Sequence, residues 1–506
     1  MKFNIMTKAT NKVLNHEGEV AYQTTPEMEL YAAVVTASLS NSFYEKGSDR
    51  LERITRLIGK VDPVFVARLA IYARDKMNLR SVPLVLVTEL SKRHNGDSLV
   101  KKATARVIRR ADEITELLAY YQLSNARNGD KKLHKMSKQI QKGIADAFNK
   151  FDEYQFAKYN RKTEITFKDA LFLTHPKAAN ETQQNLFDKI ISGNLETPYT
   201  WEVELSELGK QSFTTEIEKA RAFRKKWEEL ITSGRLGYMA LMRNLRNILE
   251  ANVEASAIRT VLNRLSDPAE IRKAKQFPFR YLAAYNELVE LKLNYVSAVL
   301  KALEKAIKIS AENISGFDLE TRILLAADVS GSMFTPVGRK GKIRCYDIGL
   351  VLSMLMANRS ENVVTGIFGD SWREVSLTGT DILSNVSRLN KMEGSVGYST
   401  NGYRVIESLI KSLRVMDKVM MFTDLQLWDS RYGGNNLKGS WINYKKTVAP
   451  NAKLYLFDLV GYGQTPLSVQ RDDVHLIAGW SDKIFDILEA IENGSDAVKE
   501  IMKIEI

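Results

Sequence analysis

The chain has 506 residues, 44% hydrophobic and 26% charged, a balance that builds folded cores, excludes low-complexity classes and predicts two or three domains. One cysteine, Cys345, excludes an internal disulfide, five scattered histidines assemble no Cys/His zinc cluster, and no run of about 18 apolar residues is present to span a membrane. Net charge is +12, divided unevenly: residues 1–320 carry 51 basic and 40 acidic side chains, residues 321–506 carry 22 and 21. A surplus confined to one half is the footprint of a polyanionic partner, nucleic acid or an anionic surface, with a soluble basic protein lacking such a partner as the plain alternative. The polar start Met1-Lys2-Phe3-Asn4 has no signal-peptide core, so a cytoplasmic protein is expected.

Residues 1–315 show hardly any alternating strand pattern, whereas helix starts recur. Thr25-Pro26-Glu27, Asp62-Pro63 and Ser81-Val82-Pro83 each set a capping side chain before a proline, and Asp49-Arg50-Leu51-Glu52 has capping-box order. These signals predict some six helices between about 26 and 122, with short polar joints such as Arg93-His94-Asn95-Gly96-Asp97. Short amphipathic helices bury their apolar faces by packing in successive pairs, as in HEAT-like solenoids.

Next in the chain, Lys131, Lys135, Lys138 and Lys142 recur at i, i+4, i+7 and i+11, one basic stripe on a helix whose Leu133, Ile140, Ile144 and Phe148 turn to the core. Ordinarily such a stripe is a solvated face. Here it continues into Lys158, Arg161, Lys168, His175 and Lys177, with Tyr154, Tyr159 and Phe167 interleaved. Cations for phosphates and aromatic platforms for bases are what single-stranded or irregular RNA requires.

From 321 onward the rhythm changes. Apolar runs at 321–328, 363–369, 418–423, 453–460 and 474–479 alternate with helical stretches near 346–358, 401–413 and 481–493, the pattern of a doubly wound, largely parallel sheet whose ligands bind beyond the strands' carboxyl ends. Asp328, Ser330 and Ser332 follow the first run on one tight loop, Thr400 follows Gly397-Tyr398-Ser399, and Asp424 ends the run Met420-Met421-Phe422-Thr423. Read singly, each is as well explained as a helix or turn cap. Together they offer hard oxygens to a divalent cation, Mg2+ or Mn2+, and leave positions open for a partner's oxygen, such as a protein carboxylate. The five resemble, in order, the metal-ion-dependent adhesion site (MIDAS) of a von Willebrand factor A domain. Gly369-Asp370 also ends a strand, with nothing nearby to complete a second site, and Cys345 reads as a small buried apolar residue.

Leu133–Lys138, Ala147–Tyr154, Ala157–Arg161, Phe167–Leu171, Thr174–Lys177, Tyr199–Glu202, Met239–Arg246 and Pro278–Tyr281 are similar to the TROVE domain of the Ro autoantigen family. A TROVE domain over 1–315 followed by a von Willebrand A domain over 316–506 is that family's architecture, and the chain resembles a bacterial or phage-type member. The resemblance implies a closed ring of helical repeats bridged by the A domain. It also implies a ribonucleoprotein of RNA quality control, which binds ends of misfolded or structured small RNAs in a basic central hole and Y RNAs, small non-coding RNAs, on its outer surface, in bacteria sometimes with an exoribonuclease. Lys158, Arg161, Lys168 and His175 fall in the matched basic motif and are candidates for the outer surface. Arg243 and Asn244 sit in another matched motif, as RNA contacts or as supports of the ring. Phe167 stands where animal members have a histidine used for Y RNA, and Tyr238 where a proline usually precedes the Met/Leu run. Leu425-Gln426 after Asp424 leaves that loop without a further carboxylate.

An RNA-binding scaffold is the leading expectation, and not an enzyme: no Ser/His/Asp or Cys/His grouping is visible. A metal-dependent protein-adhesion scaffold without RNA is the alternative, and the charge surplus on the helical half argues against it. A metal-dependent phosphatase or nuclease would need a second carboxylate beside Asp328, where Ser330 stands.

Overall fold

Helix packing organises the first part of the chain, and the capping residues show why the helices begin where they do. The structure, a computed structural model, describes residues 12–37, 45–127, 129, 133, 136–161, 163–310, 312, 319–337, 342–428, 436–469 and 472–506. Six helices occupy the predicted stretch: Pro26–Val35, Gly47–Ile58, Pro63–Asp75, Ser81–Ser91, Leu99–Val107 and Asp112–Arg127. Thr25 accepts from the Met28 N–H, and Asp62 from those of Val64 and Phe65, each ahead of a proline in the first turn. Two expected caps differ. Ser81 donates its hydroxyl to Glu116 and leaves its helix without a side-chain cap, and Asp49 lies inside a helix that already starts at Gly47.

The chain divides into two compact units that interleave in sequence. One takes Met1–Ile54, Gln276–Glu287 and Leu303–Glu500, and the other Thr55–Lys275, Leu288–Ala302 and Ile501–Ile506. In the helical unit near neighbours in sequence pack together: Pro63–Asp75 on Ser81–Ser91 and Leu99–Val107, and Leu99–Val107 on Lys138–Phe148. A Cβ at Gly143 would stand 2.6 Å from Thr104 Cβ, so glycine is what lets the last pair close to contact. Buried Glu113 takes Arg74 Nη2 at 2.7 Å and the Arg109 and Arg110 N–H groups at 2.8 and 3.1 Å. It thereby satisfies donors at the start of Asp112–Arg127 that burial would otherwise strand.

The other unit is built on a six-stranded sheet. Its strands are β3 (Ile323–Asp328), β4 (Val363–Phe368), β5 (Trp372–Glu374), β6 (Lys418–Thr423), β7 (Lys453–Asp458) and β9 (Val474–Ala478), in the order β5-β4-β3-β6-β7-β9, parallel except for the edge strand β5. All residues of β3 and β6 are buried, as expected of strands covered on both faces. The chain leaves β3 toward β4 and later returns to β6 on the other side. Loops after β3 and β6 thus diverge, which makes their carboxyl ends the switch point where such sheets bind ligands. A second sheet joins β1 (Lys12–Leu14), β2 (Val20–Gln23) and β8 (Gln464–Thr465), all antiparallel. Glu304 closes the N-terminus of helix Ile382–Asn390 by accepting from Ile382, Leu383 and Ser384 N–H groups at 2.9, 3.1 and 2.7 Å. No described helix is long and apolar enough to cross a membrane.

Candidate functional site

At the switch point the sequence-predicted oxygens come together. Asp328 ends β3, and its Oδ1 accepts from the Ser330 N–H at 2.9 Å while Oδ2 accepts from the Thr423 hydroxyl at 2.6 Å. Ser330 and Ser332 hold their hydroxyls 3.4 Å apart on the following turn. Gly331 N–H donates to Tyr398 O at 3.0 Å, stitching that turn to the loop of Thr400. The Thr400 hydroxyl donates to Gln426 O at 2.9 Å and accepts from Trp428 N–H at 3.1 Å. Asp424 follows β6 and accepts at Oδ1 from Gln426 N–H at 3.0 Å. All five side chains are buried.

The donor set fits a hard cation. Buried Asp424 Oδ2 meets no hydrogen-bond partner among the described residues, and no described lysine or arginine forms an ion pair with Asp328 or Asp424. Burial pushes the Asp328 carboxyl up to about 6; burial, with the Asp328 charge, pushes Asp424 up to about 7. Neither buried carboxyl has a cationic partner among the described residues, and a divalent ion would supply the positive charge. No three His, Cys, Asp or Glu converge among the described residues, so such an ion would rest on two carboxylates, hydroxyls and water.

Sequence reasoning missed what stands after Asp424. Leu425 takes a left-handed φ of +64°, a conformation that costs a leucine about 1–2 kcal/mol. Gln426 Oε1 then accepts from His16 N–H at 2.9 Å, and Asn15 Nδ2 donates to Leu427 O at 2.8 Å. The β1–β2 hairpin thus braces the Asp424 loop from more than 400 positions away, a pairing no local pattern signals.

On the helical unit the basic candidates are exposed. Lys138 and Lys142 lie on helix Lys138–Phe148, opposite buried Ile140, Ile144 and Phe148; Lys131 and Lys135 lie outside the described residues. Lys158 lies in the last turn of helix Glu153–Tyr159 and Arg161 follows that helix, both exposed. Exposed Lys168 sits in the first turn of Phe167–Thr174, and exposed His175 caps that helix in a left-handed conformation, φ +47°. Lys177 is exposed, with its carbonyl accepting from Asn149 Nδ2 at 3.0 Å. Phe167 is a correction. It is 2% exposed and meets Phe156 edge-on at 5.1 Å inside a cluster with Phe148 and Phe151, because its helix turns the first apolar position inward, and a base has no access to it. Phe167→Leu, which keeps most of the packing and removes the aromatic face, is expected to lower stability by about 1–2 kcal/mol in urea melts and to leave RNA affinity unchanged. A ten-fold affinity loss would return Phe167 to the binding surface. Asn244 is also internal, donating to Ala240 O and accepting from Asn247 Nδ2, both at 2.9 Å, while Arg243 is exposed. Tyr238, in the proline's place, anchors its hydroxyl on Leu265 O at 2.8 Å.

A helical-repeat unit joined to a doubly wound sheet with this oxygen set defines a TROVE-type protein carrying a von Willebrand A domain. The chain matches the TROVE domain over residues 29–222 and 193–323 and the Ro60 vWA domain over 322–491, and it belongs to the Ro family that these domains define. It is similar to the RNA-binding protein RO60 of Deinococcus radiodurans, 23% identical over 96% of each chain. Telomerase protein component 1 of mouse is 24% identical over 52% of this chain, a match that takes in only 13% of that much longer protein. The crystal structure of the D. radiodurans RO protein superposes with a TM-score of 0.58 at 18% identity, over 93% of this chain and all of that one, a likeness of fold.

Proposed function

We propose that this protein is an RNA-binding scaffold that takes Y-like small non-coding RNAs and the ends of misfolded RNAs, and that it acts in cytoplasmic RNA quality control as a ribonucleoprotein, with an exoribonuclease as a partner. The observation that carries the reading is the exposed basic series Lys138, Lys142, Lys158, Arg161, Lys168, His175 and Lys177 on one helical unit. It occurs in a chain that matches an RNA-binding RO60 protein from end to end. Cations at these positions would neutralise phosphates and release counterions, the main source of affinity for a polyanion. Binding, not bond cleavage, is the activity that these groups serve. Crosslinking in cells followed by sequencing of the bound RNA tests it: enrichment of structured small RNAs is expected, and recovery of no RNA above background would contradict it.

We further propose that Asp328, Ser330, Ser332, Thr400 and Asp424 hold Mg2+ or Mn2+. When bound, the ion would supply an open coordination position for an oxygen of a partner, a protein carboxylate in the simplest case. This chain's own contribution is to desolvate the two carboxylates and to fix Asp328 through Ser330 and Thr423. The raised carboxyls set a pH dependence. A carboxyl held above its unfolded value supports folding while protonated, and that support is lost as pH rises through its folded value, here about 6 and about 7. Stabilisation by added Mg2+, read as a shift in melting temperature, is therefore expected to grow from about pH 5 to about pH 8. A shift independent of pH would place the ion elsewhere.

A further inference from the structure

Rings and cations alternate along the helical unit and lead to a cleft. The Arg110 guanidinium carbon lies 4.4 Å from the Tyr159 ring centre, and Lys158 Nζ lies 5.7 Å from that ring and 5.8 Å from the Tyr154 ring. Tyr154, 45% exposed, lines a cleft of about 520 Å³ together with Glu153, Glu196, Pro198, Tyr199 and Arg235. That volume falls in the range of sites for small organic ligands.

The walls are held before any ligand arrives. Tyr199 donates its hydroxyl to Glu229 Oε1 at 3.1 Å, and the Arg235 guanidinium covers the Tyr199 ring at 4.9 Å. Glu153 accepts from Lys189 Nζ at 2.7 Å and from Glu196 N–H at 3.2 Å. A preformed wall spares the ligand the cost of ordering it. Exposed Lys158 beside Tyr154, and Arg235 within the cleft, place positive charge on a surface whose flat, apolar faces are aromatic. That is the composition of a stacking site flanked by phosphate contacts.

We propose that this cleft holds one unpaired nucleobase of a bound RNA, stacked on Tyr154, with the adjoining phosphates met by Lys158 and Arg235. The inference deepens the RNA-binding reading and rests on it. A basic peptide, drawn by Glu153 and Glu196, is the competing occupant. It is disfavoured because the Glu153 carboxylate is already taken by Lys189 and because Lys158 and Arg235 would repel it.

The test uses the full chain and a single-stranded RNA oligonucleotide carrying a fluorescent adenine analogue whose emission falls on stacking. Wild type is expected to quench the analogue. Tyr154→Ala should relieve the quenching and weaken binding about ten- to a hundred-fold, the loss of one stacked base, and Tyr154→Phe should restore both. Tyr154 is half-exposed, so the truncation does not threaten the fold, and Tyr199→Ala is a second probe of the same cleft. Wild-type quenching and affinity in both alanine variants would overturn the base site while leaving RNA binding elsewhere on the protein intact. Failure of the wild-type chain to bind the oligonucleotide at all would overturn both readings. Capture of an arginine-rich peptide in competition with the RNA, lost in Tyr154→Ala, would assign the cleft to a protein and overturn the proposal.

Discussion

Asp328→Ala is expected to abolish binding of Mg2+ or Mn2+, measured by titration calorimetry on the full chain. Without Asp328 the turn keeps only the neutral hydroxyls of Ser330 and Ser332, with one carboxylate left at Asp424, and that is too little charge to compete with water for a hard cation. The Thr423 hydroxyl and the Ser330 N–H, which both bond to Asp328, would lose their acceptor as well. Asp328→Asn separates the two effects, since it keeps the shape and an oxygen for one of those donors while removing the charge. Both variants should lack the heat signal. RNA affinity should stay within a factor of about three, because the basic series and Asp328 belong to different compact units. Equal heats in wild type and both variants would eliminate the cation site, and a large loss of RNA binding would tie RNA to the metal loop.

A charge-reversing pair, Lys158→Glu with Arg161→Glu, is expected to weaken RNA binding strongly. Both side chains are exposed, so the change leaves packing intact and acts through phosphate contacts. Losing two such contacts should lower the slope of log affinity against log salt by about 1.4. Repulsion from the new carboxylates should weaken binding about ten- to a hundred-fold at low salt, with little dependence on RNA sequence. Filter binding across a salt series reads both quantities. Wild-type affinity and slope would remove this surface from the RNA interface.

What was legible in the sequence follows a physical divide. Strands β3, β4, β6, β7 and β9 were readable because burial on both faces makes them continuous apolar runs, and the cluster of side-chain oxygens from Asp328 to Asp424 because each stands directly after such a run or its loop. The hairpin β1–β2 and edge strand β5 were not, since three or four residues carry no alternation to detect. Helix starts at Thr25 and Asp62 were legible because a cap is local chemistry. The bracing of Gln426 by the N-terminal hairpin, and the packing of helix Pro26–Val35 against β9, depend on contacts across more than 400 positions. Phe167 failed for a related reason. Its place in a basic, aromatic run says nothing about which way its helix faces, and only the packing of Phe148, Phe151 and Phe156 turns it inward. Arg110 escaped notice because it lies some 50 residues before the Tyr159 ring that it covers.

The most direct test of the central claim is the equilibrium affinity of the intact chain for single-stranded and structured small RNAs as a function of salt. Tight binding at low salt that weakens steeply and linearly on a logarithmic scale, with a slope near −0.7 for each phosphate contacted on a single strand, is the expected result. Absence of binding at low salt, or an affinity indifferent to salt, would contradict an RNA scaffold built on this basic surface.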